Sequence, residues 1–239
     1  MQRVMQRAEA DDKNDPADEY SFEKRTTTEE LDASGKVTKI TQKTFSVFPI
    51  EGEPYSRLIK IQNRGLTAKE IKDEDKKEEE FRRKLSARNN GSVTNSNGNW
   101  LDKSVVDRFV FEVKGRETLA NRSAIVLSFH AKPGQAEKTA VDKILGRLAG
   151  QLWVDEQDWE VARLKVGLTK EFSLGWFGMI GSIKELDIDL EQTRLADGAW
   201  LTRRQTVLLG GRKVFSSMRS RSVEECGKFR KSGDVLGRE

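Results

Sequence analysis

Gly150-Gln151-Leu152-Trp153-Val154-Asp155 runs through a polar turn, Glu156-Gln157-Asp158, into Trp159-Glu160-Val161-Ala162-Arg163-Leu164. Apolar and polar residues alternate on both sides of a three-residue break. That pattern is a hairpin of two β-strands, each with one covered face. Two more alternating runs follow, separated by Ala196-Asp197-Gly198 and by Gly210-Gly211. The last third of the chain therefore reads as long antiparallel strands with little room for helix. Successive hairpins of this length predict a curved antiparallel sheet, whose concave face must be covered by helices or by a ligand.

The same pattern extends toward the start. Residues 1–18 open as a short helix with Val4, Met5 and Ala8 on one side, ending in Asp11-Asp12-Lys13-Asn14-Asp15-Pro16. Tyr20 to Phe48 reads as a long hairpin around the turn signal Asp32-Ala33-Ser34-Gly35. A third strand, Pro54 to Gln62, stops at Asn63-Arg64-Gly65. Thr67 to Arg88 is a charge-laced helix whose apolar content is Ile71, Phe81 and Leu85. It is followed by Asn89 to Asn99, a polar stretch expected to form a mobile loop. The helix and loop, residues 67–99, read as an insertion into one domain spanning 1–239.

Beyond the loop, Phe109–Val113 and Ala124–Phe129 are apolar at nearly every position, which predicts a hairpin covered on both faces. Val141, Ile144, Leu145, Leu148 and Ala149 then fall on one helical stripe. Thr139 with Asp142 has the form of a capping box, and Gly150 is expected to close this helix.

Composition narrows the function. The charged fraction (34%) nearly equals the hydrophobic fraction (36%), so the core is thin. No run approaches the roughly 18 apolar residues of a membrane-spanning helix. A leader is expected to have been removed, or the protein is cytosolic. The lone Cys226 allows no internal disulfide. The net charge of +4 is mild, although Arg203, Arg204, Arg212, Lys213, Arg219, Arg221, Lys228, Arg230 and Lys231 bunch near the end. Only Phe215 and Phe229 interleave them, so solvated outer strand faces are expected and a nucleic-acid partner is not.

Catalysis is hard to build here. His130 is the sole histidine, no Gly-x-Ser-x-Gly elbow occurs, and a hydrolase using His130 ranks last among the readings. No His/Cys cluster suggests a metal, and no cofactor is expected. Asp187, Asp189 and Glu191 share one strand face, with Glu185 preceding them and Leu186, Ile188 and Leu190 on the other. The simplest reading is a solvent face. Leu174-Gly175-Trp176-Phe177-Gly178-Met179-Ile180-Gly181 spaces glycines around bulky apolar residues. It reads either as a hairpin end tucked over the core or as an apolar lip, with Trp176, Phe177, Met179 and Ile180 at a cavity mouth or a membrane surface.

This order of an N-terminal helix, a strand meander, a lid-like helix and Gly150-x-Leu152-Trp153-Val154-Asp155 with its partner Val161–Leu164 resembles the LolA/LolB-like outer-membrane lipoprotein-sorting superfamily. Tyr20-Ser21-Phe22, Gly35-Lys36-Val37 and Gly52-Glu53-Pro54-Tyr55 are similar to bacterial envelope proteins grouped with it. The likeness covers most of residues 20–225. It implies an α+β fold, an unclosed half-barrel sheet whose concave face is covered by helices. It also implies export to the periplasm or cell envelope, and non-enzymatic binding of a lipid or lipoprotein acyl chain.

Strand parity then assigns the lining to Phe109, Phe111 and Val113; Ile125, Leu127 and Phe129; Ala162, Leu164 and Val166; Leu186, Ile188 and Leu190. Val141, Ile144, Leu145 and Leu148 belong to the lid. An anionic membrane surface is a second candidate partner, and a monomer is expected. The rival is a scaffolding envelope protein whose helices fill the cavity permanently.

Overall fold

The computed structural model describes residues 1–13, 16–89, 103–174, 181–213 and 216–232. Helix α1 (Gln2–Lys13) and a 3-10 turn (Pro16–Glu19) precede strands β1 (Tyr20–Leu31), β2 (Val37–Ile50), β3 (Glu53–Ile61) and β4 (Arg64–Gly65). Helix α2 (Ala68–Asn89) follows, then α3 (Lys103–Val106), β5 (Phe109–Leu119) and β6 (Arg122–Ala131). Helix α4 (Ala140–Leu145) leads to β7 (Leu148–Asp155), β8 (Val161–Leu168) and β9 (Phe172–Leu174), then β10 (Gly181–Arg194), β11 (Trp200–Lys213) and β12 (Ser216–Lys231).

All strands join one 12-stranded sheet in the order β4-β3-β2-β1-β12-β11-β10-β8-β7-β6-β5, with β9 beside β10. Every pairing is antiparallel. The sheet does not close, so the class is α+β with an open, half-barrel antiparallel sheet. Strands from both sides of residues 90–102 lie in this one sheet, because the first long strand, β1, pairs with the last, β12.

The turns form where local chemistry demands them. The Asp32 carboxylate accepts the Ser34 and Lys36 amides and the Ser34 hydroxyl, and Gly35 takes a positive φ of 87°. Ala120 and Asn121, both at positive φ, close the β5–β6 hairpin in two residues.

The main core lies on one sheet face. Phe109, Leu127, Phe129, Leu152, Val154, Val161 and Leu164 pack there with Val4 of α1, and Val105 of α3 and Leu145 of α4 pack against them. A smaller cluster of Ala124, Val126, Trp153 and Leu119 occupies the opposite face. Helix α2 sits elsewhere: its Phe81 and Leu85 cover Phe48, Ile50 and Tyr55. By register these β2–β3 residues face away from Phe22 and Val47, so α2 lies on the other face from α1, α3 and α4. Its buried Glu74 accepts the Leu58 amide at 3.0 Å, satisfying a β3 edge group that β4 is too short to reach.

Two sequence expectations need correction here. The helix expected over Thr139–Ala149 is only Ala140–Leu145; Gly146 caps it, and Leu148 to Asp155 is strand. The capping box is real, with Thr139 and Asp142 exchanging side-chain and backbone bonds. Val141 is 62% exposed and does not belong to a covered stripe. The second correction concerns β5, which is not covered on both faces. It is the sheet's edge, largely exposed from Glu112 onward, whereas β6 is indeed buried on both sides. Of the Asn89–Asn99 stretch expected to form a mobile loop, Asn89 is the last residue of α2, and residues 90–99 lie outside the described residues.

Asp155, 1% exposed, holds the β6–β8 region in register. Its carboxylate accepts Nε and Nη2 of Arg122 at 2.6 Å each, and the amides of Gln157 and Asp158 at 3.0 and 2.8 Å. Burial pushes its pKa up, but the Arg122 guanidinium and the two amides outweigh that and hold it below the usual carboxylate range. A folded-state pKa below the unfolded one gives stability that is complete above the unfolded value and lost as pH falls through the folded one. Asp155→Asn should therefore destabilise the protein by about 2–3 kcal/mol at neutral pH, a partly exposed Arg122 moderating the loss. Urea unfolding should also show a shallower stability decline below about pH 4 than in the wild type. Parallel acid profiles for the two proteins would remove Asp155 from this role.

Candidate functional site

On the helix-covered face, the core opens into an apolar pocket of about 330 Å³. Val105 and Val106 of α3, Leu145 of α4 and the following Leu148 form one side. The sheet supplies Phe109 and Phe111 of β5, Phe129 of β6, Leu152 of β7, Leu164 and Val166 of β8, and Ile188 and Leu190 of β10. Gln205 of β11 is the sole polar side chain in this lining.

The sequence explains why these residues converge. Phe109, Phe111 and Phe129 alternate along two paired strands, and their rings meet at 5.4–6.5 Å. Phe129 lies opposite Gly150 of β7, where its ring occupies the space a side chain would need. A Cβ at Gly150 would come 2.0 Å from the Lys165 carbonyl oxygen and 2.9 Å from the Phe129 ring. Gly150, expected to end a helix, is thus a strand residue selected by close approach.

The short helix α4 is tied down at its start. Arg108, directly before β5, donates to Asp142 at 2.7 Å, and Asp142 also serves the capping box. The Thr139 amide and hydroxyl, then Arg108, lower the Asp142 pKa. The Arg147 carbonyl, just after α4, accepts the Thr169 amide at 2.7 Å.

The parity assignment and the pocket differ in places. Phe109, Phe111, Phe129, Leu164, Val166, Ile188 and Leu190 line it, with Leu145 and Leu148 of the expected lid. Ile125 and Leu127 pack in the adjoining core instead. Leu186 shares the face of Ile188 but pairs with Leu209, further along β10. Ile144 is half-buried and outside the lining.

Val113 is 71% exposed, at a bulge where Gly115 takes over the pairing on the edge strand. Ala162 sits at another bulge, the extra residue between Val161 and Arg163, and faces a different cleft. Val105, Val106, Leu152 and Gln205 were not predicted. The Val105-Val106 pair beside a polar stretch was the available signal for the first two; Gln205 gave none beyond its strand parity. Trp176, Phe177, Met179 and Ile180, read as a lip, lie outside the described residues.

The cleft that receives Ala162 measures about 490 Å³ and is walled by Arg122, Arg163, Glu191, Arg194, Trp200 and Arg203. Its charges are largely spent on one another. Arg163 binds both oxygens of Asp189 at 3.0 and 2.7 Å, and Arg194 binds Asp158 at 2.6 Å. Asp189 and Glu191 thereby serve arginine pairing, and Glu185 pairs with Arg219. No group of three or more metal-ligating side chains occurs among the described residues.

His130 lies exposed on β6, on the same face as Ser128 and as Glu112 of β5. Glu112 is bound to Lys114 at 2.6 Å, and no Ser128–His130 hydrogen bond exists among the described residues. The constellation lacks the nucleophile–base contact of a working triad. Burial pushes the Cys226 thiol up to about 11, which keeps it protonated and unreactive.

No family model matches the chain, and no curated protein matches its sequence. Solved structures do resemble it. A DUF1329 family protein from Desulfovibrio piger is 13% identical, with a TM-score of 0.37 over all of this chain and 94% of its own. An outer membrane lipoprotein-sorting protein domain from Vibrio parahaemolyticus is 10% identical, with a TM-score of 0.38 over 100% and 94%. A LolA superfamily protein from Nitrosomonas europaea is 11% identical, with a TM-score of 0.32 over 100% and 97%. These structures thus include the superfamily that the sequence resembles. The functional reading rests on the pocket.

The packing at Gly150 generates a test. Gly150→Ala should lower stability by about 1–3 kcal/mol, because the crowding atoms include backbone that cannot swing aside. A lower urea midpoint at unchanged slope is the expected result.

Proposed function

We propose that this protein binds a hydrophobic ligand non-covalently, a lipid or lipoprotein acyl chain, in the bacterial cell envelope. The observation that carries the reading is the apolar pocket beneath α3 and α4, with one polar residue in its lining. Concave, mostly apolar sites with few polar groups are the usual form of small-ligand sites. No helix among the described residues is long and apolar enough to cross a membrane. The LolA-like resemblance of the sequence supports the same class of ligand and an envelope location, and non-enzymatic action as a single unit completes the reading.

The pocket's size limits the ligand. At about 30 Å³ per heavy atom, the share of a water molecule in the liquid, 330 Å³ holds on the order of ten atoms. About ten buried methylenes give roughly 8 kcal/mol of gross hydrophobic gain. Association itself costs about 4–15 kcal/mol, so binding through the tail of one medium-length chain should be about millimolar or weaker. Two long chains would not fit within the described walls.

Ile188 lines the pocket from the centre of the sheet and is half-buried. Ile188→Trp should fill the space and reduce uptake of a phenylnaphthylamine probe at least about tenfold, while the circular-dichroism spectrum stays folded. If wild type takes up no probe, and its solvent extract contains no lipid, the carrier reading fails and the scaffolding role replaces it.

A further inference from the structure

The helix-covered face changes character between β11 and β12. Antiparallel partners directly opposite each other project from the same face, so the register traces rows across the sheet. One row runs Leu164, Leu190, Gln205, Glu224, Thr26 and Lys43. The row beside it runs Val166, Ile188, Val207, Ser222, Thr28 and Thr41. Both begin aliphatic inside the pocket; the first turns polar at Gln205 of β11 and ends at Lys43, and the second turns to hydroxyls at Ser222 of β12. Glu224 is half-buried, and Thr26 donates to it at 3.3 Å. Thr28 and Ser222 approach each other at 3.5 Å.

We infer that the ligand is a single-chain amphiphile with an uncharged, hydrogen-bonding head, and that Glu224 discriminates against carboxylate and phosphate heads. The inference rests on the apolar pocket being the tail site. Gln205 marks the pocket's polar end, and β12 is one strand further, about 4.8 Å away. A head emerging past Gln205 therefore meets the Glu224 carboxylate first. Hydroxyl or amide heads can donate to that carboxylate and accept from Gln205 and the Ser/Thr hydroxyls. An anionic head there is repelled at a half-buried position where screening is weak.

Lys24 and Lys43 of this sheet face stand further from Gln205 than Glu224 does. Lys43 is exposed on β2, three strands and about 14 Å from Gln205. Lys24 lies beyond Glu224 on β1, its ammonium over the Phe45 ring at 5.4 Å.

The test uses the whole chain and competition against bound phenylnaphthylamine. Dodecanoylglycerol and dodecanoate share a tail and differ in head charge. Wild type should prefer the glycerol ester by about tenfold. Glu224→Gln keeps the shape, removes the charge, and should bring the ratio close to one by tightening dodecanoate. Equal affinities in wild type, a preference for dodecanoate, or a ratio unmoved in Glu224→Gln would overturn the head assignment while leaving the pocket as a tail site. Failure of both compounds to compete, with probe uptake unaffected by Ile188→Trp, would instead remove the pocket reading itself. A circular-dichroism spectrum matching wild type confirms that Glu224→Gln is folded.

Discussion

The Asp155 carboxylate governs which residues face which side of the sheet. It takes four hydrogen bonds at once, two from Arg122 and two from amides of its own turn. Arg122 begins β6 just after the β5–β6 turn, and Asp155 ends β7, so one ion pair clamps two neighbouring hairpins at the same end. A buried carboxylate must be paired. A slip of one residue would break this pairing and send Leu152 and Val154 to the face of Trp153. The aromatic and aliphatic pocket on one face, and the ion-paired cleft on the other, both follow from that register.

A second constraint joins the two halves of the chain. Strand β1 belongs to the first meander and β12 to the last, and their ladder runs from Tyr20 opposite Lys231 to Glu30 opposite Ser220. Contacts this distant in sequence carry a loop-closure cost, but it grows only with the logarithm of the separation. The ladder meets it with many backbone bonds and with cross-strand charges, Arg221 on Glu29 and Lys228 on Glu23. At its end the Tyr20 hydroxyl donates to Asp197, which Lys231 also binds at 3.2 Å. Burial and that carboxylate push the Tyr20 pKa up to about 12, so the hydroxyl stays a donor across the physiological range. Polar residues therefore build this half of the sheet, whereas apolar packing builds the other.

The strands were legible because alternation survives in a half-covered sheet, and Trp153-Val154-Asp155 shows it in three residues. The helix at 139–149 was half legible. Its capping box marks a true start, but Leu148, Gly150, Leu152 and Val154 also alternate, and tertiary pairing with β6 and β8 won over the helical stripe. Ala162 was misplaced by a bulge, which inserts a residue and reverses parity with no strong sequence signal, whereas Val113 keeps its parity opposite Leu127 and is exposed because it lies on the edge strand. Edge position was likewise hidden: β5 is as apolar at its start as β6, and only the sheet order tells which one lacks an outer neighbour. Gln205 was missed for the opposite reason. Read alone it is a polar residue in a strand, and only the register sets it beside Leu190.

A thin-cored chain that keeps an apolar pocket forgoes stability it could readily have. Larger side chains at Val105, Val166 or Ile188 would close the space and recover dispersion contacts with its walls. Cavities in proteins cost about 24 cal/mol per Å³, so even a partly open pocket of this size forfeits several kcal/mol against a filled core. The loss is tolerable because folding does not depend on this pocket alone: the Asp155 clamp, the β1–β12 ladder and the α2 cluster hold the sheet from separate places. Rigid strands thus carry the pocket's floor, while its cover is made of two of the shortest helices, α3 and α4. If the proposed ligand binds here, a fixed floor under a cover of two short helices admits it without opening the sheet, and the polar rows that begin at β11 and β12 meet the part left outside.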